Sequence, residues 1–160
     1  MPILEKIVKS EDAKHWPDSI PLEFHYTAGV AGEEFLRELK DSGRLLASKC
    51  PKCKNSYVPA RMYCATCFVE TKDRHNITSQ AVVYSFAVVD RDRSGNKLQK
   101  PAVVALVKFE GVKGGIVHLL DVKSPKDASI GMKVAPVLKE QAERTGSLSD
   151  IVGFRPTERV

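Results

Sequence analysis

The chain has 160 residues, of which 42% are apolar and 28% charged, with a formal net charge of +5. That length admits one domain, or a small module joined to a compact one, and the composition excludes a disordered chain. No apolar run approaches the roughly 20 residues of a membrane helix. The opening MPILEKIVKSEDAKHW meets charged residues too early for a secretory leader, so the expected location is cytoplasmic with no membrane partner.

Residues 1–28 contain Trp16-Pro17 and Ile20-Pro21, which break any long helix. With Ile3, Ile7, Trp16, Leu22, Phe24 and Tyr26 among them, they read as an extended or part-helical arm laid on a neighbouring surface. A helix is expected over Ala31 to Ser42. Its opening turn is acidic (Glu33, Glu34), Lys40 lies in its last turn, Glu33 and Arg37 form an i,i+4 pair, and Gly43 ends it. Short strands follow, Arg44–Lys49 before the first cysteine pair and Tyr57–Ala60 towards the second. Three β-rich stretches come next, Ala81–Asp90, Ala102–Glu110 and Ile116–Val122. Gly111-Val112-Lys113-Gly114-Gly115 is a hairpin signal, and Arg91–Lys100 reads as a long exposed loop. Pro125–Met132 is a turn or short helical connection before a strand over Met132–Glu140. About five strands with an interruption before the last is the layout of an OB-type barrel.

All four cysteines fall in one window, C-P-K-C-x10-C-A-T-C, formed by Cys50, Cys53, Cys64 and Cys67. Two residues between the members of a pair let one tight turn aim both sulfurs at a common point, and two such turns make a closed tetrahedral site. Zinc suits four thiolates, and iron shares the geometry. Disulfides fit poorly with a cytosolic chain, and a redox pair needs a different fold context. A four-sulfur site has no open position for water or substrate, so the metal is structural, and no thiol is left as a nucleophile.

The segment from Arg44 to Arg74 carries seven cations (Arg44, Lys49, Lys52, Lys54, Arg61, Lys72, Arg74) against Glu70 and Asp73, and by itself accounts for the net charge. Those cations either balance the thiolates and solvate a small module or face a phosphate-bearing ligand. His15, His25, His75 and His118 have no metal or catalytic spacing, and His118 reads as a hydrogen-bonded residue in a half-buried wall. Tyr84 and Phe86 share one face of a strand, as core residues or as a stacking platform. No serine sits in a nucleophile elbow and no Gly-rich phosphate loop follows a strand. The weight of the residues is for binding.

The helix before the cysteines, GRLLASKCPKC, VPARMYCATC, YSFAVV, PAVVALVKFE, SIGMKVAPV and the ending ERTGSLSDIVGFRP together resemble the acyl-CoA-associated zinc-ribbon and OB-fold family, domain of unknown function 35. The likeness covers most of the chain. It implies a mainly β protein with an N-terminal helix. An arm and helix would occupy 1–43, a rubredoxin-like zinc ribbon 44–75, and an OB-fold β-barrel with a C-terminal tail 76–160. It further implies a non-catalytic accessory subunit that binds acyl-CoA beside a thiolase-fold catalytic subunit in a hetero-oligomer. The ending looks most like members that pair with thiolases, such as the small subunit of benzoylsuccinyl-CoA thiolase in anaerobic toluene breakdown. Other members bridge acetoacetyl-CoA thiolase and hydroxymethylglutaryl-CoA synthase.

On this reading, Arg61 is the first choice for the coenzyme A phosphates, with Arg44 and Arg155 behind it, and Tyr57 packs on the adenine. The arm, through Trp16, Leu22, Phe24 and Tyr26, offers anchors to the partner. The competing class is a nucleic-acid-binding ribbon and barrel, which would need an exposed aromatic platform on a basic groove. The barrel half is not basic, so nucleic acid is the weaker partner. A free-standing enzyme lacks a plausible set of reacting groups.

Overall fold

A computed structural model of the chain describes residues 11, 23, 24, 26–92 and 94–157. Most of the expected arm, with Trp16, Leu22, His15 and His25, lies outside the described residues. Phe24 and Tyr26 are described, are exposed, and stack with ring centroids 6.1 Å apart.

Helix α1 spans Gly29–Ser42, two residues earlier than expected, so Glu33 and Glu34 fall beyond its first turn. Its buried stripe is Ala31, Phe35 and Leu39 at helical spacing. Gly43 ends it with φ 68°, its N–H reaching back to the Leu39 carbonyl at 3.1 Å. Arg37 pairs with Glu33 along the helix, while Glu34 reaches Arg74 at 2.6 Å and ties the helix to the ribbon.

The ribbon sheet holds β1 (Leu46–Lys49), β2 (Ser56–Val58), β3 (Asp73–Asn76) and β6 (Val112–Gly114) in the order β3-β1-β2-β6. The barrel sheet holds β4 (Ala81–Arg91), β5 (Lys97–Phe109), β7 (Ile116–Leu119), β8 (Lys133–Leu138) and β9 (Ile151–Pro156) in the order β7-β5-β4-β8-β9. Its two edges are not joined by a ladder. They meet at one parallel bridge between Leu120 and Phe154, where the Asp121 N–H donates to the Phe154 carbonyl at 2.7 Å. A single apolar cluster runs from Phe35 and Leu39 of α1 through Leu45, Val58 and Ala60 of the ribbon base into Val83, Val107, Val134 and Phe154 of the barrel.

Four expectations change. The stretch Arg91–Lys100 is not a long loop. The Asp92 carboxylate accepts hydrogen bonds from the backbone of Ser94 (2.8 Å) and Asn96 (2.9 Å) and so closes a tight turn. Pairing therefore resumes at Lys97 opposite Arg91. The five-residue glycine signal does connect antiparallel neighbours, β5 and β7, but it is not a simple turn. Its middle is drawn across to the ribbon as β6, parallel to β2, with Gly114 opposite Val58. Tyr84 and Phe86 do not share a face, because a bulge between Val83 and Ser85 turns Tyr84 outwards, where the Lys108 ammonium lies 3.3 Å from its ring centroid. Phe86 packs against the core. Finally, the C-terminal tail contains a strand, β9, which pairs along β8 and supplies Phe154 to the core. Its Gly153 and Pro156 mask it in a reading by β propensity.

Among the described residues no helix is long and apolar enough to cross a membrane. The connection Pro125–Asp127 is a short 3-10 turn capped by Ser124, as the turn reading expects.

Candidate functional site

The two cysteine pairs fold as copies of one backbone device. In the first, the Cys50 N–H donates to the Asn55 carbonyl at 2.9 Å and the Lys54 N–H to the Cys50 carbonyl at 3.0 Å. In the second, Cys64 and Val69 make the same bond at 2.9 Å, and Phe68 and Cys64 at 3.0 Å. Lys54 (φ 62°) and Phe68 (φ 55°) both take the left-handed conformation, which non-glycine residues rarely adopt. This turn lets the N–H of the second cysteine in each pair point at the first sulfur, from Cys53 to Cys50 at 3.4 Å and from Cys67 to Cys64 at 3.3 Å.

All four sulfurs lie within 4.8 Å of one another, with Cys53 and Cys64 3.6 Å apart. A tetrahedral thiolate site with bonds of about 2.3 Å puts sulfurs about 3.8 Å apart, so the donor set fits a divalent thiophilic ion. Without an ion the four thiols are ill matched. Hydrogen bonding from Tyr57 lowers Cys64 to about 6, aided by backbone N–H groups, while burial and the neighbouring sulfurs push Cys67 up to about 12. A bound cation removes that conflict by favouring every thiolate together. Cys50 and Cys64 are fully buried and Cys53 and Cys67 partly exposed.

The ribbon clamps Arg61 beside this cluster. Its N–H donates to the hydroxyl of buried Ser48 at 2.9 Å, and its carbonyl accepts the hydroxyl of buried Thr71. The guanidinium carbon lies 5.3 Å from the centroid of the Tyr57 ring, and Tyr57 Oη is 3.3 Å from the Cys64 sulfur. Arg61, Tyr57 and the cysteines are thus one stack from surface to metal site.

Tyr57 is 3% exposed, so it is corrected as an adenine platform: its ring is spent inside the cysteine cluster. The exposed aromatic residues of the ribbon are Tyr63 (57%) and Phe68 (82%), which flank the second pair and which sequence reasoning passed over. For Phe68 the signal is the motif itself, since a large aromatic at the left-handed position after C-x-x-C is locally unfavourable.

The other two arginines lie elsewhere. Arg155 on β9 is engaged by Asp121 at 2.6 Å, and Arg44 borders a cleft at the ribbon base. His118 is half-buried, as expected, with Nε2 donating to the Leu148 carbonyl at 3.3 Å.

Two family models match the chain, the "ChsH2, rubredoxin-like zinc ribbon domain" over residues 37–73 and the "ChsH2, C-terminal OB-fold domain" over 76–139. The chain is 28% identical over 126 residues to a DUF35 domain-containing scaffold protein of Methanocaldococcus jannaschii, covering 76% of this chain and 88% of the relative. A structure of a DUF35-family protein of unknown function from Sulfolobus solfataricus superposes with a TM-score of 0.63 at 30% identity, over 80% of this chain and 84% of that one. A structure described as the Ltp2-ChsH2(DUF35) aldolase superposes at 0.57 with 25% identity, over 79% of this chain and 94% of that one. The cysteine cluster, the two sheets and these likenesses together place the chain in the DUF35 family of zinc-ribbon and OB-fold proteins.

Proposed function

We propose that this chain is a non-catalytic accessory subunit of a thiolase- or aldolase-type acyl-CoA enzyme, holding the coenzyme A end of the substrate at the partner's active-site mouth. The carrying observation is the stack from the cysteines through Tyr57 to Arg61. It pins a guanidinium on the ribbon, which also carries the exposed rings of Tyr63 and Phe68. A planar guanidinium takes a phosphate with two parallel hydrogen bonds, and an aromatic face takes an adenine. The pairing of Arg155 with Asp121 and the place of Arg44 at a separate cleft favour Arg61 as the phosphate contact, with the exposed Lys52 and Lys54 of the first cysteine turn on the same ribbon.

Cys50, Cys53, Cys64 and Cys67 hold one structural zinc ion, which supplies cross-linking and no chemistry at the substrate. All the cysteines of the chain are spent there, so acyl transfer needs a nucleophile from another chain. In this reading 1–43 is the docking arm and helix, 44–75 the ligand-facing ribbon and 76–160 the supporting barrel. The ERTGSLSDIVGFRP ending favours a thiolase partner of the benzoylsuccinyl-CoA type. The likeness to a scaffold protein favours a second form of the same role, a bridge between two acyl-CoA enzymes such as acetoacetyl-CoA thiolase and hydroxymethylglutaryl-CoA synthase.

The test is co-purification of the partner, followed by thiolysis or retro-aldol assays of each subunit and of the mixture. Activity should need both chains, and Arg61→Ala should raise KM for the coenzyme A substrate about tenfold with little change in kcat. Full activity from the partner alone, or any from this chain alone, would falsify the reading.

A further inference from the structure

Two of the three buried polar side chains among the described residues, Ser48 and Thr71, hydrogen bond to the backbone of one residue, Arg61. The register of the ribbon sheet brings this about. Ser48 of β1 lies directly opposite Arg74 of β3 on one side and Tyr57 of β2 on the other, so the three side chains form one row across a single face. Each member of that row acts on Arg61. Tyr57 lies under the guanidinium, whose carbon is 5.3 Å from the ring centroid. Ser48 accepts the Arg61 N–H at 2.9 Å. Arg74 donates to the Thr71 carbonyl, and the Thr71 hydroxyl donates to the Arg61 carbonyl. The far end of the row is anchored on α1, where the Glu34 carboxylate accepts from Arg74 Nε at 2.6 Å.

Arg74 is therefore turned inwards, its side chain 20% exposed and held between Glu34 and Thr71. It is one of the seven cations that the sequence offers to a phosphate-bearing ligand, and in the fold it supports another arginine instead.

We infer that Glu34, Arg74, Thr71 and Ser48 are positioning residues for Arg61, which set the affinity of the ribbon for a phosphate-bearing ligand without touching it. The inference rests on the reading of Arg61 as the coenzyme A phosphate contact. A free arginine side chain loses rotamer freedom when it takes a phosphate, and one already held at its backbone and over a ring loses less. The two parallel hydrogen bonds to a phosphate also need the planar fork at one angle, so a backbone shift at Arg61 misaims both.

The test is the Kd of coenzyme A for the purified complex with the enzyme partner, measured by calorimetry, with zinc content and Tm recorded for each variant. Glu34→Gln should weaken binding about threefold. That sign is diagnostic, because removing a negative charge would tighten an anionic ligand if only net charge mattered. Thr71→Val should weaken binding about fivefold, and Thr71→Ser, which keeps the hydroxyl, should match wild type. In an Arg61→Ala background neither Glu34→Gln nor Thr71→Val should change the Kd further, as expected of residues that act only through Arg61. If Thr71→Val loses its zinc, Glu34→Gln in the two backgrounds decides. Unchanged or tighter binding by Glu34→Gln, while Arg61→Ala still weakens it, overturns this inference alone. Equal losses with and without Arg61 overturn it too, by making these residues merely structural. No loss on Arg61→Ala removes the phosphate reading itself, and this inference with it.

Discussion

Asp150 is fully buried, and burial by itself would raise its pKa. The backbone N–H groups of Thr145 (2.9 Å), Gly146 (2.7 Å) and Ser147 (3.2 Å) converge on its carboxylate and hold it below the ordinary carboxylate range instead. A depressed folded pKa means that the carboxylate stabilises the fold fully above the unfolded value of about 3.9, and that this contribution is lost as pH falls through the folded value. Asp150→Ala should cost about 3 kcal/mol at neutral pH, because three donors lose a charged acceptor. In urea titrations the gap between wild type and variant should be constant from pH 5 to 8 and shrink on the acid side of about 4; a gap that widened there would reverse the sign of the argument. Tyr57 is the second residue with a readable role. Its hydroxyl donates to the Cys64 sulfur from a buried ring, so Tyr57→Phe removes one outer-shell hydrogen bond and no packing. Zinc affinity in a chelator competition should fall about tenfold with the fold intact, whereas an unchanged affinity would show that the hydroxyl does not support the thiolate.

At the scale of elements, β6 is the joint of the molecule. Its three residues leave the barrel hairpin between β5 and β7 and pair in parallel with β2, which leads directly to Arg61. The joint needs Gly114, with φ at 92° and no room for a side chain: an added Cβ would lie 2.2 Å from the Val58 carbonyl oxygen, which is backbone and cannot rotate away. Gly114→Ala should therefore cost about 2 kcal/mol or more and separate β6 from β2. Hydrogen exchange should speed up at the amides of β2 and β6 ahead of those in β4. Uniform acceleration over the whole chain would mean that the ribbon and barrel open only together.

On the scale of the whole molecule, the ribbon has two loyalties. Leu45, Val58 and Ala60 belong to the core that fills the barrel, while Cys50, Tyr57 and Cys64 form a separate, small cluster with little apolar surface. A cluster of that size cannot hold its turns without the metal, because metal binding supplies much of the folding energy of such sites. The ribbon base has a core of its own to rest on. Removing the metal with a chelator should therefore release the knuckle amides near Cys53 and Cys67 to exchange while the β4–β5 ladder stays protected, with a modest loss of thermal stability. Global unfolding on chelation would show that the barrel depends on the ion, and unchanged knuckle exchange would show that the ion is dispensable.

Local chemistry made much of this protein legible in its sequence. The C-x-x-C pairs specify their turn through spacing alone, Phe35 and Leu39, four residues apart, mark the buried face of α1, and Gly43 marks its end, because each of these depends on neighbours a few residues away. The runs AVVYSFAVV and VVALVKF show strands for the same reason. Folding decided what depends on distant partners. Nothing local in Val112–Gly114 announces a parallel strand on β2, and nothing in IVGFRP announces the strand that meets β7, since both exist only once another element is in place. The bulge that parts Tyr84 from Phe86 is set by pairing with β5. The fate of Tyr57 follows the same logic. A tyrosine on a basic ribbon is consistent with either a surface platform or a buried support, and only the approach of Cys64, seven residues on, turns its hydroxyl inwards to that sulfur and leaves Arg61 lying across its ring.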